Sequence, residues 1–348
     1  MKKLLALTLS VVLVLSLTVV ASAATFDPYI GGRITWAYKD GDQFEGDPVT
    51  LNNGGIKLLL RGRVTDEATG TWGAIGAKID GWPDNDGSLG ESKSIYDFGV
   101  NNIGGSNFSI WYSNWENENM NRGQGRIYEV TPAMYHEDMM FDIDMSNVIG
   151  IDYKSDNVIV NFGYVPDENE CKKNDMQIAG TFKFDGGDVH FGYFDGLRGY
   201  DDVNYEATEA LVGAAVKLGF GTIKVDYLTR DMNKDANDVD CAWEGGDIVQ
   251  AAVFFDNLNF DVTLVSDNKY RFKNEGGKGY QIRYTGIDNV TFCYKAMEAD
   301  EEVDEDLNFT DLYVGYKYGV LETRLGYGTE GEGDDNDFVY ASVYVNFW

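Results

Sequence analysis

The sequence predicts an all-β chain, a closed transmembrane antiparallel β-barrel of 18 strands, with a 16-stranded barrel as the alternative. Three observations carry this. The chain opens on a short apolar run that ends in small residues, the remainder reads as a series of alternating hairpins, and the connections between strands alternate long and short.

Lys2 and Lys3 precede an apolar run from Leu4 to Val20, and Ala21-Ser22-Ala23 then offers a small-residue cleavage site. That order is the signature of a secretory signal peptide. Residues 1–23 are therefore read as a cleaved signal and 24–348 as a single barrel domain. No cysteine follows the cleavage site, so a lipid anchor is not expected. No second apolar run reaches the roughly 17–25 residues that a spanning helix needs. A mature chain lodged in a membrane must then cross it with strands, closed so that no edge is left unpaired.

The elements follow in order. Tyr29–Tyr38, Gly55–Val64, Thr71–Asp80, Ser94–Val100 and Asn107–Ser113 are the first five candidates, and the fourth and fifth have the weakest alternation. If that pair were loop, the count would fall to 16. Asn147–Lys154 and Val158–Val165 flank Ser-Asp-Asn, two alternating runs joined by a tight turn. The pattern recurs in Met176–Phe184 with Val189–Phe194, Glu209–Leu218 with Thr222–Arg230, and Asp247–Phe255 with Leu258–Val265. Gly279–Thr285 with Val290–Ala296 and Thr310–Tyr318 with Leu321–Tyr327 complete the hairpins, and Phe338–Trp348 closes the chain.

Between these runs the long connections are 39–54, 81–93, 114–146, 166–175, 195–208, 231–246, 266–278, 297–309 and 328–337, and only short turns lie between them. Outer-membrane barrels have short periplasmic turns and longer external loops, so this parity implies an even strand number with both termini on one side. A count of 41 Gly, 22 Tyr and 19 Phe against 5 Pro also suits a barrel with aromatic girdles. A mean hydropathy of -0.32 is no objection, because apolar residues occupy only every second position of such strands.

Strand periodicity assigns the faces. Leu258, Phe260, Val262 and Leu264 would point outward, with Asn259, Asp261 and Thr263 inward. Val290, Phe292, Tyr294 and Ala296 face out opposite Thr291 and Lys295, and Ile178, Phe182 and Phe184 face out opposite Gln177, Thr181 and Lys183. The interior is expected to be polar. A soluble secreted all-β binding protein would show the same alternation with the apolar side turned to a core; the length of the strands and the signal peptide favour the barrel.

The signal peptide, the hairpin series and the closing strand FVYASVYVNFW together resemble the Gram-negative outer-membrane porin superfamily. Phe347, Val345, Val343, Ala341 and Val339 form the alternating set of that strand, and Trp348 lies one residue beyond the terminal aromatic of the family pattern. The resemblance implies a general diffusion porin, a water-filled channel for ions and small hydrophilic solutes. It also implies that Phe347 and Trp348 form an assembly signal read by the barrel-assembly machinery. A purely structural outer-membrane barrel is the alternative function. Expected partners are outer-membrane lipid, that machinery and further copies in a homotrimer.

A net charge of -30 excludes nucleic acid as a partner. The acids crowd into connections such as Glu298–Asp306 and Glu330–Asp337, whereas basic residues fall on inward positions: Arg33, Lys57, Arg61, Arg63, Arg283, Lys295 and Arg324 are the predicted pore-lining set. Few acids share those positions, Asp152, Asp226, Asp261 and Glu322 being the main ones. The segment 114–146 occupies the place where porins fold their third external loop into the lumen, and carries Glu116, Glu118, Glu129, Glu137 and Asp138. An acidic loop opposite a basic wall would set a transverse field across a constriction.

No catalytic motif surrounds His136 or His190, so no enzyme is expected. Cys171, Cys241 and Cys293 form no metal-binding pattern, although Cys171 and Cys241 could pair in an oxidising compartment. Asp84-Asn85-Asp86-Gly87 reads as a plain turn rather than a Ca²⁺ loop. No metal or cofactor is called for.

Overall fold

The computed structural model describes residues 24–41, 55–81, 92–114, 147–165, 175–200, 203–235, 245–272, 275–299, 308–330 and 337–346. Within them lie eighteen strands: β1 (Ala24–Gly41), β2 (Gly55–Asp66), β3 (Thr71–Gly81), β4 (Ser92–Val100), β5 (Phe108–Ser113), β6 (Val148–Lys154), β7 (Val158–Val165), β8 (Asp175–Phe184) and β9 (Gly187–Tyr200) form the first half. The second half is β10 (Val203–Leu218), β11 (Gly221–Asp235), β12 (Gly245–Phe255), β13 (Phe260–Phe272), β14 (Glu275–Ile287), β15 (Val290–Ala299), β16 (Phe309–Tyr318), β17 (Leu321–Glu330) and β18 (Asp337–Asn346). Every strand pairs antiparallel with its neighbours in the chain. β1 pairs with β2 and also with β18, from Arg33↔Asn346 to Gly41↔Phe338, so the ring closes.

Eighteen strands rule out the sixteen-stranded alternative. β4 and β5 are joined by a short 3-10 turn at Ile103–Gly105, and their outward rings fix the hairpin: Tyr96 and Phe98 stack on Tyr112 with centroids 5.9 and 5.2 Å apart. Short turns between hairpins bring in asparagine where the backbone turns left-handed. Asn259 and Asn289 have φ of 49° and 64°, a region this side chain tolerates, and their carbonyls accept from the N–H of Thr285 and Lys317 on the next descending strand.

Two of the connections predicted to be long are not loops. β9 runs on to Tyr200 and β10 begins at Val203, leaving only 201–202, and β13 and β14 are separated only by 273–274. Alternation ends where these strands leave the apolar band, because both faces there can carry polar residues. Backbone pairing needs no apolar face and continues, which is why hydropathy stops the predicted strands at 194 and 265. The other seven long connections fall largely outside the described residues, as do the signal segment 1–23, Cys171, Cys241, Phe347 and Trp348.

The outer wall is apolar. Ile30, Leu60, Val212, Leu264, Leu312 and Leu325 are among many large side chains exposed on it, with Tyr and Phe toward both ends. At the long-loop end, tyrosine hydroxyls reach polar groups that start the next strand: Tyr112 donates to Asn147 at 3.0 Å and Tyr227 to Asp247 at 2.8 Å, and Tyr327 donates to Asp337. A ring in hydrocarbon with its hydroxyl held at a polar rim is the arrangement of an interfacial aromatic girdle. A continuous exposed apolar surface of this extent cannot face water, so the wall faces lipid. The outward assignments of Phe260, Val262, Leu264, Phe292, Phe182 and Val339 all agree with the observed faces.

Candidate functional site: the inner wall

The inner wall is mixed. From β16 through β18 and β1 to β4 it is mainly charged and aromatic, with Leu59 and Ile95 packed together, whereas from β9 to β13 a tier of large apolar side chains stands beside the Arg230–Glu209 ion pair. In a ring of eighteen, β11 lies diametrically opposite β2, so the two arcs face each other.

On the charged arc Arg61 of β2 reaches past β3 to Asp97 of β4, donating from Nη2 to Oδ2, and the other carboxylate oxygen accepts from Ser113 Oγ at 2.6 Å. Asp97 is buried while Arg61 remains partly open. Arg63 lies flat over the Trp72 ring, 4.1 Å from its centroid, and the indole N–H donates to Asn101 Oδ1 at 3.1 Å. A guanidinium stacked in this way keeps its charge while losing much of its freedom. Arg33 and Lys57 are direct register partners on β1 and β2.

Further round, Arg324 donates from Nε to Glu322 at 2.8 Å and stands 4.9 Å from the Tyr313 centroid, with Lys295 Nζ at 5.8 Å from the same ring. Tyr340 donates to Asp311 Oδ1 at 2.8 Å. Arg283 pairs with Asp261 at 3.0 Å on β14 and β13, between the two arcs. The predicted basic positions Arg61, Arg63, Arg283, Lys295 and Arg324 therefore do point inward. They do not form one cluster, since Arg283 and Lys295 lie on β14 and β15 while Arg61 and Arg63 lie on β2.

The expected scarcity of inward acids is corrected by the structure. Asp97, Asp188, Glu209 and Asp311 all face inward, and most of the basic groups have a carboxylate beside them. Strand parity carries this signal for two of the four: Asp311 stands six residues before Lys317, and Glu209 eight before Lys217, hence on the same face. Tyr340 has the parity opposite Val339 and Ala341, and Tyr313 the parity of Asp311, so the same alternation carries the signal for both tyrosines. The acids expected on the third loop, Glu116, Glu118, Glu129, Glu137 and Asp138, lie outside the described residues.

The expectation of a uniformly polar interior is also corrected. Phe194, Leu211, Leu228, Ile248 and Val265 point inward and are almost wholly buried, with Trp72, Trp111 and Val148 in the same apolar cluster. Leu211, Leu228 and Ile248 are consecutive register partners on β10, β11 and β12 and form one strip. Toward the short-turn end of the same strands the wall turns polar again with His190, Asp226, Gln250 and Thr263.

His190 and Asp226 make the closest contact of that lower tier, 2.6 Å between Nε2 and Oδ1, and Asp188 lies 3.2 Å from Nδ1. They sit on β9 and β11, and the strand between them carries Gly213 in register with both. A Cβ at Gly213 would land on the Asp226 carboxylate and the His190 imidazole. The glycine is therefore the condition for this bond, and the same device recurs where Tyr340 of β18 lies over Gly326 of β17 to reach Asp311 of β16. Gly213→Val is expected to lower folded-state stability by roughly 3–5 kcal/mol, the cost of breaking a buried, hydrogen-bonded pair and crowding the wall around it. The check is a lowered urea midpoint in detergent, with Gly73→Ala, whose Cβ would meet nothing within 4 Å, unchanged. His190 is buried within the wall, so this arrangement is a strut rather than an accessible acid or base.

No protein-family model matches the chain, and no curated protein sequence matches it. Solved structures do. The loop L8 deletion mutant of OmpT, an outer membrane protein of Vibrio cholerae, matches with a TM-score of 0.50 at 14% identity, covering 94% of this chain and 100% of that one. A mutant Rhodopseudomonas blastica porin (TM-score 0.46, 13% identity, 93% and 100% covered) and the trimer form of in-vitro folded OmpT of Vibrio cholerae (0.47, 15%, 94% and 100%) are similar too. At such identity the likeness is one of fold: the chain has the fold of an outer-membrane β-barrel.

Proposed function

We propose that this chain is an outer-membrane porin, forming a water-filled channel for passive diffusion of ions and small hydrophilic solutes. The observation that carries the reading is the closed eighteen-stranded ring with an apolar outside and, inside, an arc of charged side chains among which Arg61 and Arg324 stay partly open. A barrel of sixteen to eighteen strands encloses an aqueous channel rather than a packed core. Charged groups set flat against the wall, as Arg63 is on Trp72 and Arg324 on Tyr313, suit a passage more than a plug.

The remaining parts of the reading follow from sequence. Residues 1–23 direct secretion and are removed, 24–348 form the barrel, and Phe347 with Trp348 is recognised by the barrel-assembly machinery. The acids of the third loop face the basic arc and narrow the passage. Self-association into a trimer belongs to the same reading.

Purified protein in a planar bilayer should insert in discrete ohmic steps, and a membrane that stays insulating in the presence of folded protein would overturn the channel in favour of a purely structural barrel. Removing Phe347 and Trp348 should reduce the heat-modifiable, folded fraction in membranes, read as the shift in gel migration with and without boiling; unchanged assembly counts against the terminal signal.

A further inference from the structure

We infer that the outer wall between β12 and β15 holds one lipid molecule of a particular chemistry: a lipid whose phosphate carries a primary amine, of the phosphoethanolamine type, with an acyl chain lodged in a recess of the wall. The site lies on the lipid-facing side and stands independently of the channel.

The wall is indented here. A recess of about 350 Å³ is lined by Val249, Ala251, Leu264 and Tyr280, with Ser266, Lys278 and Glu298 along one side. Alternation puts all seven on the outward face. The indentation has a local cause: Ala251 is a small residue set between its register partners Val225 and Leu264, and Tyr280 is held to one side by Tyr294, with ring centroids 5.7 Å apart. Lipid tails are as apolar as leucine, so filling the notch gains packing contacts rather than burial from water. An acyl chain fits there, but the notch alone would select no particular lipid.

Selectivity comes from the polar side. Ser266, Lys278 and Glu298 are consecutive register partners on β13, β14 and β15. Lys278 is the fourth residue of β14 and Glu298 the last but one of β15, so this row sits at the long-loop end, while Leu264 and Tyr280 lie two residues deeper. Among the residues whose side chains are described, Lys278 is the one basic group on an outward position of a strand. A cation on the lipid face is costly at mid-depth and tolerated near the interface, where it meets head-group phosphates.

Lys278 and Glu298 are both exposed, and no ion pair between them is found among the described residues. Opposite charges side by side at head-group depth match a head group that carries both signs. Lys278 and the Ser266 hydroxyl donate to phosphate oxygens, and Glu298 accepts from the ammonium. A phosphate without an amine would leave Glu298 beside a like charge, and a quaternary amine would offer it no N–H.

The test uses the full chain, purified in detergent and titrated in turn with phosphatidylethanolamine, phosphatidylglycerol and phosphatidylcholine of identical acyl chains, with bound lipid counted by native mass spectrometry. One phosphatidylethanolamine per chain should be retained about threefold to fivefold better than either of the others. Lys278→Ser with Glu298→Gln should bring the three lipids level. Ala251→Trp, which fills the recess, should release the retained molecule, while Val212→Trp on the outer face of β10 leaves it in place. Equal retention of the three lipids by the unaltered chain would overturn the inference, and so would a preference for phosphatidylglycerol, since Glu298 would then take no part. A preference that survives the double substitution, or retention unchanged by Ala251→Trp, overturns it equally. If Ala251→Trp does not fold, a phosphatidylethanolamine with a diazirine in one acyl chain decides the matter on the unaltered protein. Label concentrated on Val249, Ala251 and Leu264 supports the recess, and label spread evenly over outward residues such as Val212 and Leu312 overturns it.

Discussion

Replacing Arg61 and Arg63 with Ser raises the preference for cations over anions, seen as a displaced zero-current potential under a salt gradient, while conductance persists. Arg61 holds Asp97, so its removal both deletes a positive charge and leaves a buried carboxylate without its counter-charge. Arg63 lies on Trp72, 4.1 Å from the ring centroid. At about 6 Å in a water-like dielectric, each unit charge changes the energy of a passing ion by about 0.7 kcal/mol, or about threefold in relative permeability. Because each charge acts with opposite sign on cations and anions, the pair together should shift the cation-to-anion ratio by up to about two orders of magnitude at low salt, and by much less at 1 M, where the Debye length falls to about 3 Å. Neutralising Glu116 and Glu118 should move the ratio in the opposite direction. A zero-current potential indifferent to both changes would place the ion path elsewhere.

Val314→Arg should strongly impair folding, because Val314 is an exposed outward residue near the middle of β16, flanked in register by Phe292 and Leu325. An arginine on the lipid face near the midplane costs about 2–4 kcal/mol. Moving the substitution by one residue reverses the environment: Gly315 points inward, and a Cβ there would meet nothing nearer than 3.6 Å. Gly315→Lys is therefore expected to fold close to normally. Heat-modifiable migration and the urea midpoint measured side by side check the contrast. Similar losses for both would mean that the two faces of β16 do not differ in solvent, against a lipid-spanning barrel.

Much of the wall is legible in the sequence because a strand shows its two environments in alternation. Alternation delimits Val158–Val165 to the residue, and β4 and β5, the weakest by hydropathy, are strands all the same. The alternation fails where both faces meet similar surroundings. Beyond the lipid band, Leu197–Tyr200 and Val203–Ala207 remain paired with polar residues on both sides, so hydropathy predicts a loop where a hairpin continues. It fails again on β9–β13, where Phe194, Leu211 and Ile248 are apolar on the inward face as their neighbours are on the outward one. An apolar residue at an inward position looks like noise in a polar series until its register partners are known. For the candidate site, parity gives the orientation of Arg61, Arg63, Arg283, Lys295 and Arg324. It cannot give their partners, because Arg61 to Asp97 and His190 to Asp226 join strands two apart and depend on where a glycine or small residue lets a side chain through.

Those joints over glycine have a mechanical consequence. A barrel whose strands are stitched only to immediate neighbours can ovalise, as each ladder acts as a hinge under lateral load. His190 with Asp226 and Tyr340 with Asp311 each brace a triplet of strands, so that the middle one cannot rotate without lengthening a buried bond. One brace lies on β9–β11 and the other on β16–β18, on sectors separated by about a third of the circumference. Such braces resist the lateral pressure of a bilayer, because the stiffness resides in the wall itself.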